Sequence, residues 1–367
     1  MYLLELRLAD VRNYAALRLE PSPGLNAVIG SNGQGKSNLL EAVGILAIGK
    51  SFRAKRDREL LRFGATDAAI SGRALAHGGV VELDFELHVQ GLTTRKRYAV
   101  NGETVRHAEY LGRTRVVAFE PSDLALASGP AAVRRAFLNA ALAQEHPAYY
   151  AELATYGQTL AQKNALLRGT VAPDEHLLDV YDTRLAQAGG HIMIARRRFV
   201  KRLAAHASSA YRIWSGDGEL LSVQYRPSVS DETEDPQSLA KVLYDAFRDA
   251  RVRERARHVS LVGPHRDELE LTLDGRALGV FGSQGQRRTA VLALKIAEYT
   301  SACELSGDPP ILLLDDVLSE LDAERRSAFL QGIGSYEQAF VSATEALEGI
   351  IPAATFHVRN AQVTQQC

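Results

Sequence analysis

Cysteine is nearly absent from this 367-residue chain: Cys303 and Cys367 are the only two, and they form no CxxC pair. That excludes a disulfide framework and a cysteine-ligated metal site, and suits a reducing compartment. Net charge is also nearly absent. Forty-three basic residues face 44 acidic ones, a balance of −1. No global attraction to nucleic acid follows, so any contact with DNA has to come from a local patch. Long apolar runs are missing too. Nothing approaches about 18 uninterrupted apolar residues, so no membrane span is expected. The opening MYLLELRLAD carries charge inside its apolar run and is not expected to be a secretory signal. A cytoplasmic location is the expectation. What the chain does have is 46% hydrophobic residues, enough for a sizeable core and roughly two or three domain-sized units.

The patterning changes along the chain. Residues 2–8 alternate, with Leu4, Leu6 and Leu8 on one face, which predicts a strand. LNAVIG at 25–30 is a short apolar run closed by glycine and predicts a buried strand followed by a loop. Residues 36–48 take up helical spacing, with Leu39, Leu40, Val43 and Leu46 on one side. A β-rich layer is expected from 68 to 118, with a hairpin at Asn101-Gly102. From 130 to 256 the period is helical. One helix is expected from Pro147 to Leu167, and another from the N-cap Asp174 to beyond Ile213, interrupted or kinked at Gly189-Gly190. The acidic SVSDETEDPQS at 228–238 reads as an exposed connection. Strands are expected again at 269–275, 310–316 and 338–344, with a helix from Gly285 to Leu305. The expected fold class is α/β, a mixed sheet and an antiparallel β layer with an inserted helical lobe. Its parts are 1–125 and 258–367 for the α/β lobe and 126–257 for the helical lobe.

Chemistry enters at Gly30-Ser31-Asn32-Gly33-Gln34-Gly35-Lys36-Ser37, a full G-x4-G-K-S match that follows an apolar strand and opens an apolar helix. That is the context in which the motif binds a nucleotide. Gly33 and Gly35 let the backbone curl and aim its N–H groups inward. Those donors and the positive end of the helix, with Asn38 in its first turn, suit phosphates. Lys36 is the candidate for the β- and γ-phosphate oxygens, and Ser37 for Mg²⁺. A second candidate is Ile311-Leu312-Leu313-Leu314-Asp315-Asp316. Two carboxylates at the end of an apolar strand are costly unless they have partners, and ligands gather at the C-terminal ends of parallel strands. Asp315 is placed to bind Mg²⁺, directly or through water, and Asp316 to polarise the attacking water. The cofactors expected are ATP and Mg²⁺.

A third element narrows the family. Ser283-Gln284-Gly285-Gln286 leads into a helix about 30 residues before the acidic strand, and Ser319-Glu320-Leu321-Asp322 follows that strand. The order resembles the ABC ATPase set of Walker A, signature, Walker B and D-loop. Further segments resemble the RecF branch of the ABC/SMC-type ATPases: Arg12-Asn13-Tyr14, Lys50-Ser51-Phe52-Arg53, Phe119-Glu120-Pro121-Ser122-Asp123-Leu124, Gly263-Pro264-His265-Arg266-Asp267-Glu268-Leu269 and the run from Gly282 to Arg288. The resemblance spans nearly the whole chain. Departures from its pattern are Ser37 in place of threonine, Ala127-Ser128-Gly129 without a lysine, Arg134 and Arg135 as the remaining arginines there, and Asn139 for an aspartate. They alter the charge of that segment and leave the nucleotide residues intact.

The resemblance implies an ATP-dependent homodimer in which Ser283, Gln284, Gly285 and Gln286 of one subunit face the nucleotide held by Lys36 of the other. It implies slow hydrolysis, because Asp316 stands where many ABC ATPases carry glutamate. It also implies binding to gapped or junction DNA and help in recombinase loading with the RecO and RecR mediators, in repair and replication. Thr344 either contacts the γ-phosphate or simply ends a strand, and Phe119-Glu120-Pro121 resembles a Q-loop. Candidate DNA-contacting cations lie at Arg53 to Arg58, Arg95 to Arg97, Arg196 to Arg202 and Arg248 to Arg257, each of which also reads as a solvated charged face. The alternative is the ATPase subunit of a membrane transporter, whose signature usually reads LSGGQ.

Overall fold

The computed structural model describes every residue except 77, 92, 170–173, 216–217, 319–325, 327–328, 330–335, 347–348, 350 and 367. Ser319-Glu320-Leu321-Asp322, the D-loop candidate, therefore lies outside the described residues. The chain divides into two compact units, Met1–Asp123 with Lys295–Cys367, and Leu124–Leu294.

The first unit holds two six-stranded sheets. One is antiparallel, in the order Tyr14–Leu19, Tyr2–Val11, Asp67–Ala76, Gly79–Gln90, Thr93–Val100, Glu103–Val105. Its last turn is Asn101-Gly102, both with positive φ (52° and 81°), as a two-residue hairpin requires. The other sheet runs Gln362–Gln366, Ala354–Arg359, Gly24–Ile29, Gln338–Ala343, Ile311–Leu314, Val116–Phe119. All its pairings are parallel except the edge hairpin of Ala354–Arg359 with Gln362–Gln366. Every residue of Ile311–Leu314 is buried, as a central parallel strand covered on both faces demands.

The helix Lys36–Ile48 packs into the core that the two sheets share. Leu39, Leu40, Val43 and Leu46 join Leu6, Ile70 and Phe85 of the antiparallel sheet and Val28, Leu313 and Phe340 of the parallel one. Ten of its thirteen residues are buried. The one-sided apolar face read from the spacing therefore understates its burial. A helix covered by sheets on opposite sides is apolar nearly all round.

The second unit is mainly helical: Ala131–Glu145, Pro147–Leu167, Glu175–Ser215 and Pro236–Arg257. Pro147 sits at the first helical position and Asp174 Oδ1 accepts the amide of His176 (2.9 Å). The helix Glu175–Ser215 runs unbroken through Gly189-Gly190, where an interruption or kink was expected. The glycines serve packing instead. A Cβ on Gly190 would lie 2.4 Å from the Pro236 carbonyl oxygen, so the small residue lets the next helix start against it. The segment before Pro236 is tied down by side chains, with the Asp235 carboxylate accepting the Ser238 amide as an N-cap (2.8 Å).

The same unit holds a three-stranded antiparallel sheet of Arg276–Ala277, Glu268–Leu273 and Leu221–Arg226. Because Glu268–Leu273 pairs with Leu221–Arg226, residues 258–294 group with the helical unit, and the division falls at Leu294/Lys295, within the helix Gln284–Ser306. At the centre of the helices Lys163 Nζ meets Asp182 and Glu254, each at 2.7 Å, with all three side chains fully buried. No helix among the described residues is long and apolar enough to cross a membrane.

Candidate functional site

The parallel strands bring the chemistry to one edge. Gly24–Ile29, Gln338–Ala343, Ile311–Leu314 and Val116–Phe119 lie side by side and parallel. Their C-terminal ends therefore present Gly30, Ala343, Asp315 and Glu120 along the same edge, where open α/β sheets place ligands. Gly30 N–H donates to Ala343 O (3.2 Å), which ties the start of the phosphate loop to the neighbouring strand.

Residues 30–35 then turn into the helix Lys36–Ile48. Ser31, Asn32 and Gly33 are exposed at the mouth of the loop. Gly35 caps the helix at φ 119°, and a Cβ there would lie 2.5 Å from Asn13 Nδ2. Conformation and space both demand glycine. The loop is braced from outside. Asn13 Nδ2 donates to Gln34 O (3.0 Å), Tyr14 OH donates to Gly35 O (3.0 Å), and Asn38 Nδ2 donates to Asn13 Oδ1 (2.9 Å). On the other flank the Asn360 amide donates to Gln34 Oε1 (2.6 Å) and the Ala361 amide to Gln34 O (3.2 Å). The hairpin tip at Asn360-Ala361 thus grips the loop. Lys36 is buried, and its ammonium donates to Gly30 O (2.7 Å) and Ser31 O (3.2 Å).

The carboxylates sit beside it. Ser37 Oγ donates to Asp315 Oδ1 (2.7 Å), and Ser342 Oγ donates to the same oxygen (2.8 Å) while accepting the Asp316 amide (2.8 Å). Asp316 has a left-handed backbone, φ 54°. Burial and the neighbouring Asp315 carboxylate raise its carboxyl pKa, while Lys36 pulls the other way. The donor set fits Mg²⁺: a hydroxyl and a carboxylate oxygen 2.7 Å apart approach the edge of an octahedron with ligands at about 2.1 Å, which is about 3 Å. The structure thus brings Lys36, Ser37, Asp315 and Asp316 together across almost the whole sequence. Thr344 is exposed just past its strand, whereas Ser342 links both aspartates. A serine inside the buried run QAFVSA was the available signal, since a buried hydroxyl needs a partner.

Glu120 continues the edge. Its amide donates to Asp123 Oδ2 (2.8 Å). Burial first, then Asp123, pushes its carboxyl up to about 7, against the pull of Lys295 and Arg53. Behind the phosphate helix, fully buried Glu41 receives Arg12 at both oxygens (2.8 and 2.9 Å) and the Ser51 hydroxyl (2.5 Å). Ser51 Oγ also accepts the amides of Arg53 and Ala54 (2.9 and 2.7 Å), and Arg53 reaches Asn38 Oδ1 (3.3 Å). The Arg12-Asn13-Tyr14 and Lys50-Ser51-Phe52-Arg53 segments therefore both support the phosphate loop. A single glutamate within a buried helix was the signal for such a partner set.

In the second unit, Ser283 and Gln286 form a reciprocal cap. Ser283 N–H donates to Gln286 Oε1 (2.7 Å) and Gln286 N–H to Ser283 Oγ (3.2 Å). Gln286 Nε2 also donates to Glu219 Oε1 (2.6 Å). Ser283, Gln284 and Gly285 are exposed, ahead of the bond from Arg287 N–H to Ser283 O (3.0 Å). Ser283 Oγ accepts within its own chain and keeps its proton to donate.

The basic clusters separate. Arg196 is buried against Asp267, Pro264 O and Asn139; Arg197 donates to Thr233 O and Asp231 O, Arg198 to Glu234 and Arg202 to Glu145. Arg251 is held by Asp179, Asp182 and Glu175. Arg134 forks onto Glu268 (2.7 Å twice), and Arg135 donates to Asp267 O (2.9 Å). Arg134, Arg196 and Arg251 are largely buried in these pairs, whereas Arg198 meets Glu234 at the surface. Lys55, Arg56 and Arg58 stay on an exposed segment of the first unit.

Residues 2–350 match the family model of the RecF/RecN/SMC N terminal domain. The chain is 40% identical over 348 residues to the DNA replication and repair protein RecF of Symbiobacterium thermophilum, and 42% identical over 348 residues to that of Gloeobacter violaceus. Each alignment covers 94% of this chain and 92% of the relative. A solved structure described as the recombination mediator protein RecF with ATP in the RecFOR pathway superposes with a TM-score of 0.92 at 30% identity, covering 100% of this chain and 98% of that one. The fold is that of the RecF and SMC-type ATPase head, and the chain belongs to the RecF family within the RecF/RecN/SMC N-terminal domain group.

Proposed function

We propose that this chain is an ATP-dependent DNA-binding protein of recombinational repair and replication-fork maintenance, working in the cytoplasm as a homodimer closed by ATP. The observation that carries the reading is the chain of contacts Ser37–Asp315–Ser342–Asp316 beside Lys36 at the mouth of the phosphate loop. Residues 30–38 hold the triphosphate, with Lys36 turning from the loop carbonyls to the β- and γ-phosphate oxygens. Ser37 and Asp315 hold Mg²⁺, which when bound neutralises charge on the phosphates. Asp316 accepts a proton from water as the water oxygen bonds to Pγ. The bond from Pγ to the β–γ bridging oxygen breaks and ADP leaves. Its short side chain keeps turnover slow, which suits a timer rather than a motor.

Ser283 and Gln286 bond to each other, and Gln286 also to Glu219, while the Ser283 hydroxyl proton is not used in these bonds. Their exposed helix start, with Ser283 still able to donate, suits the γ-phosphate on a partner's Lys36. ATP then joins two copies, and hydrolysis releases them. The naming of relatives as DNA replication and repair proteins, and of a solved relative as a mediator in the RecFOR pathway, supports DNA, RecO and RecR as partners in recombinase loading. The test is Ser283→Arg. Binding of ATP is expected to stay within about twofold of the parent, while ATP-dependent retention on gapped duplex DNA is lost. Retention at the parent level would sink the sandwich.

A further inference from the structure

Phe63 is 99% exposed, the most exposed large apolar side chain among the described residues. It sits on a rigid mount. Arg62 to Ala65 form a turn closed by Ala65 N–H to Arg62 O (2.9 Å), and Gly64 has φ 86°, the arrangement of a type II turn with Phe63 at its first corner. Both flanks are anchored to the antiparallel sheet. Arg62 N–H donates to Asp10 O (2.9 Å) and Arg62 Nε to Asp10 Oδ1 (2.5 Å), Arg12 N–H donates to Leu60 O (2.7 Å), and Val89 N–H donates to Thr66 O (2.8 Å). The hydrogen-bonded turn presents the ring to water.

Its surroundings are charged rather than apolar, with cations interleaved with Asp57 and Glu59. The short helix Asp57–Leu60, just before the turn, carries exposed Arg58, and exposed Lys55 and Arg56 precede it. Arg58 donates to Gly91 O (2.9 Å) and Lys96 pairs with Asp57 (2.6 Å). Gly91 and Lys96 of the hairpin that joins Gly79–Gln90 to Thr93–Val100 are thereby held against the short helix before the turn. A protein-docking patch joins several apolar side chains. Here one aromatic ring stands near exposed Lys55, Arg56 and Arg58, while Asp57 is paired with Lys96 and Glu59 accepts the Lys55 amide; a ring beside cations is the composition of a site that stacks a base and holds its phosphates.

We propose that Phe63 is a stacking platform for an unpaired nucleobase, with Lys55, Arg56 and Arg58 taking the adjacent phosphates, so that this end of the sheet selects single-strand gaps and junctions over continuous duplex. The inference rests on the DNA-binding reading above and names the part of the DNA that this surface reads.

The experiment uses the full chain with a non-hydrolysable ATP analogue and two labelled DNAs of equal length, one continuous duplex and one with a short gap. Binding is read by fluorescence anisotropy, and 2-aminopurine in the gap reports stacking. Phe63→Ala is expected to weaken binding to the gapped DNA about tenfold, in line with loss of one stacked base. Continuous duplex should change less than twofold, and the 2-aminopurine signal should no longer shift on binding. Phe63→Trp should restore both. Arg56→Ala should weaken binding to both DNAs and lower the salt dependence. An equal loss on both DNAs for Phe63→Ala, or none on either, overturns the stacking role. So does a defect confined to capture of a protein partner, which would make Phe63 a protein contact. If the parent binds neither DNA, the broader DNA-binding reading fails with it, whereas an unaffected Phe63→Ala beside a parent that binds gapped DNA removes this inference alone.

Discussion

Glu41 and Glu120 are both carboxylates of the first unit, and their surroundings differ in a way that sets their chemistry. Glu41 faces Arg12, Ser51 and Arg53. Glu120 faces Asp123, and burial together with that neighbour lifts its carboxyl from the usual 4.5 to about 7. A carboxyl whose folded pKa is raised favours the folded state when it is protonated. Its stabilising contribution is complete below about pH 4.5 and is lost as the pH climbs through about 7. Glu120→Gln keeps the shape and removes the proton equilibrium. Urea unfolding of both proteins should show the glutamine variant gaining on the parent between pH 5 and pH 8, by up to about 3 kcal/mol. Parallel stability curves over that range would mean that Glu120 titrates as an ordinary carboxylate. Because Glu120 ends the strand next to Asp315, the same variant also reports whether its charge affects ATP affinity.

Between elements, close approach of backbones does what side-chain volume cannot. Gly190 lies inside a 41-residue helix, and a Cβ there meets the Pro236 carbonyl oxygen at 2.4 Å. That oxygen is backbone and cannot swing away, so Gly190→Ala has to separate two helices. The expected cost is about 1–3 kcal/mol despite the better helix propensity of alanine, read as a lower urea midpoint with an unchanged slope. A midpoint equal to or above the parent's would show that the helices move apart freely. The sequence pattern could place both glycines in a helix but could not tell packing from a break, since that depends on a chain segment 46 residues away. The strand Leu221–Arg226 escaped for the same reason: its partner Glu268–Leu273 is remote, and six half-alternating residues within a helical stretch carry little local signal. The phosphate loop, the helix after it and the acidic strand were legible because their residue types are set by local geometry and by burial. The brace of Asn13 and Tyr14 on the loop, the grip of Asn360-Ala361 on Gln34 and the Ser342 bridge were not, because each is a contact between distant segments.

The proposed homodimer makes a demand that a single-chain ATPase does not. If each nucleotide lies between Lys36 of one copy and Ser283 of the other, the halves are separable by mutation. Lys36→Met removes the ammonium that the loop holds at Gly30 and Ser31. Ser283→Arg places a bulky cation on an exposed helix start and leaves the sequence of the phosphate loop, in the other unit, unchanged. Neither variant should dimerise with ATP. In Lys36→Met no site holds a nucleotide, and in Ser283→Arg every held nucleotide faces a blocked surface. Mixed in equal amounts, the two should form a heterodimer. The intact loop of the Ser283→Arg chain then meets the intact Ser283 of the Lys36→Met chain, while the second site carries both defects. Sedimentation with a non-hydrolysable analogue is expected to show a dimer peak only in the mixture, with one nucleotide bound per pair. A mixture that stays monomeric while the parent dimerises would mean that both sites must close together. A Ser283→Arg chain that dimerises alone would mean that the contact does not run through the Ser283 helix start at all.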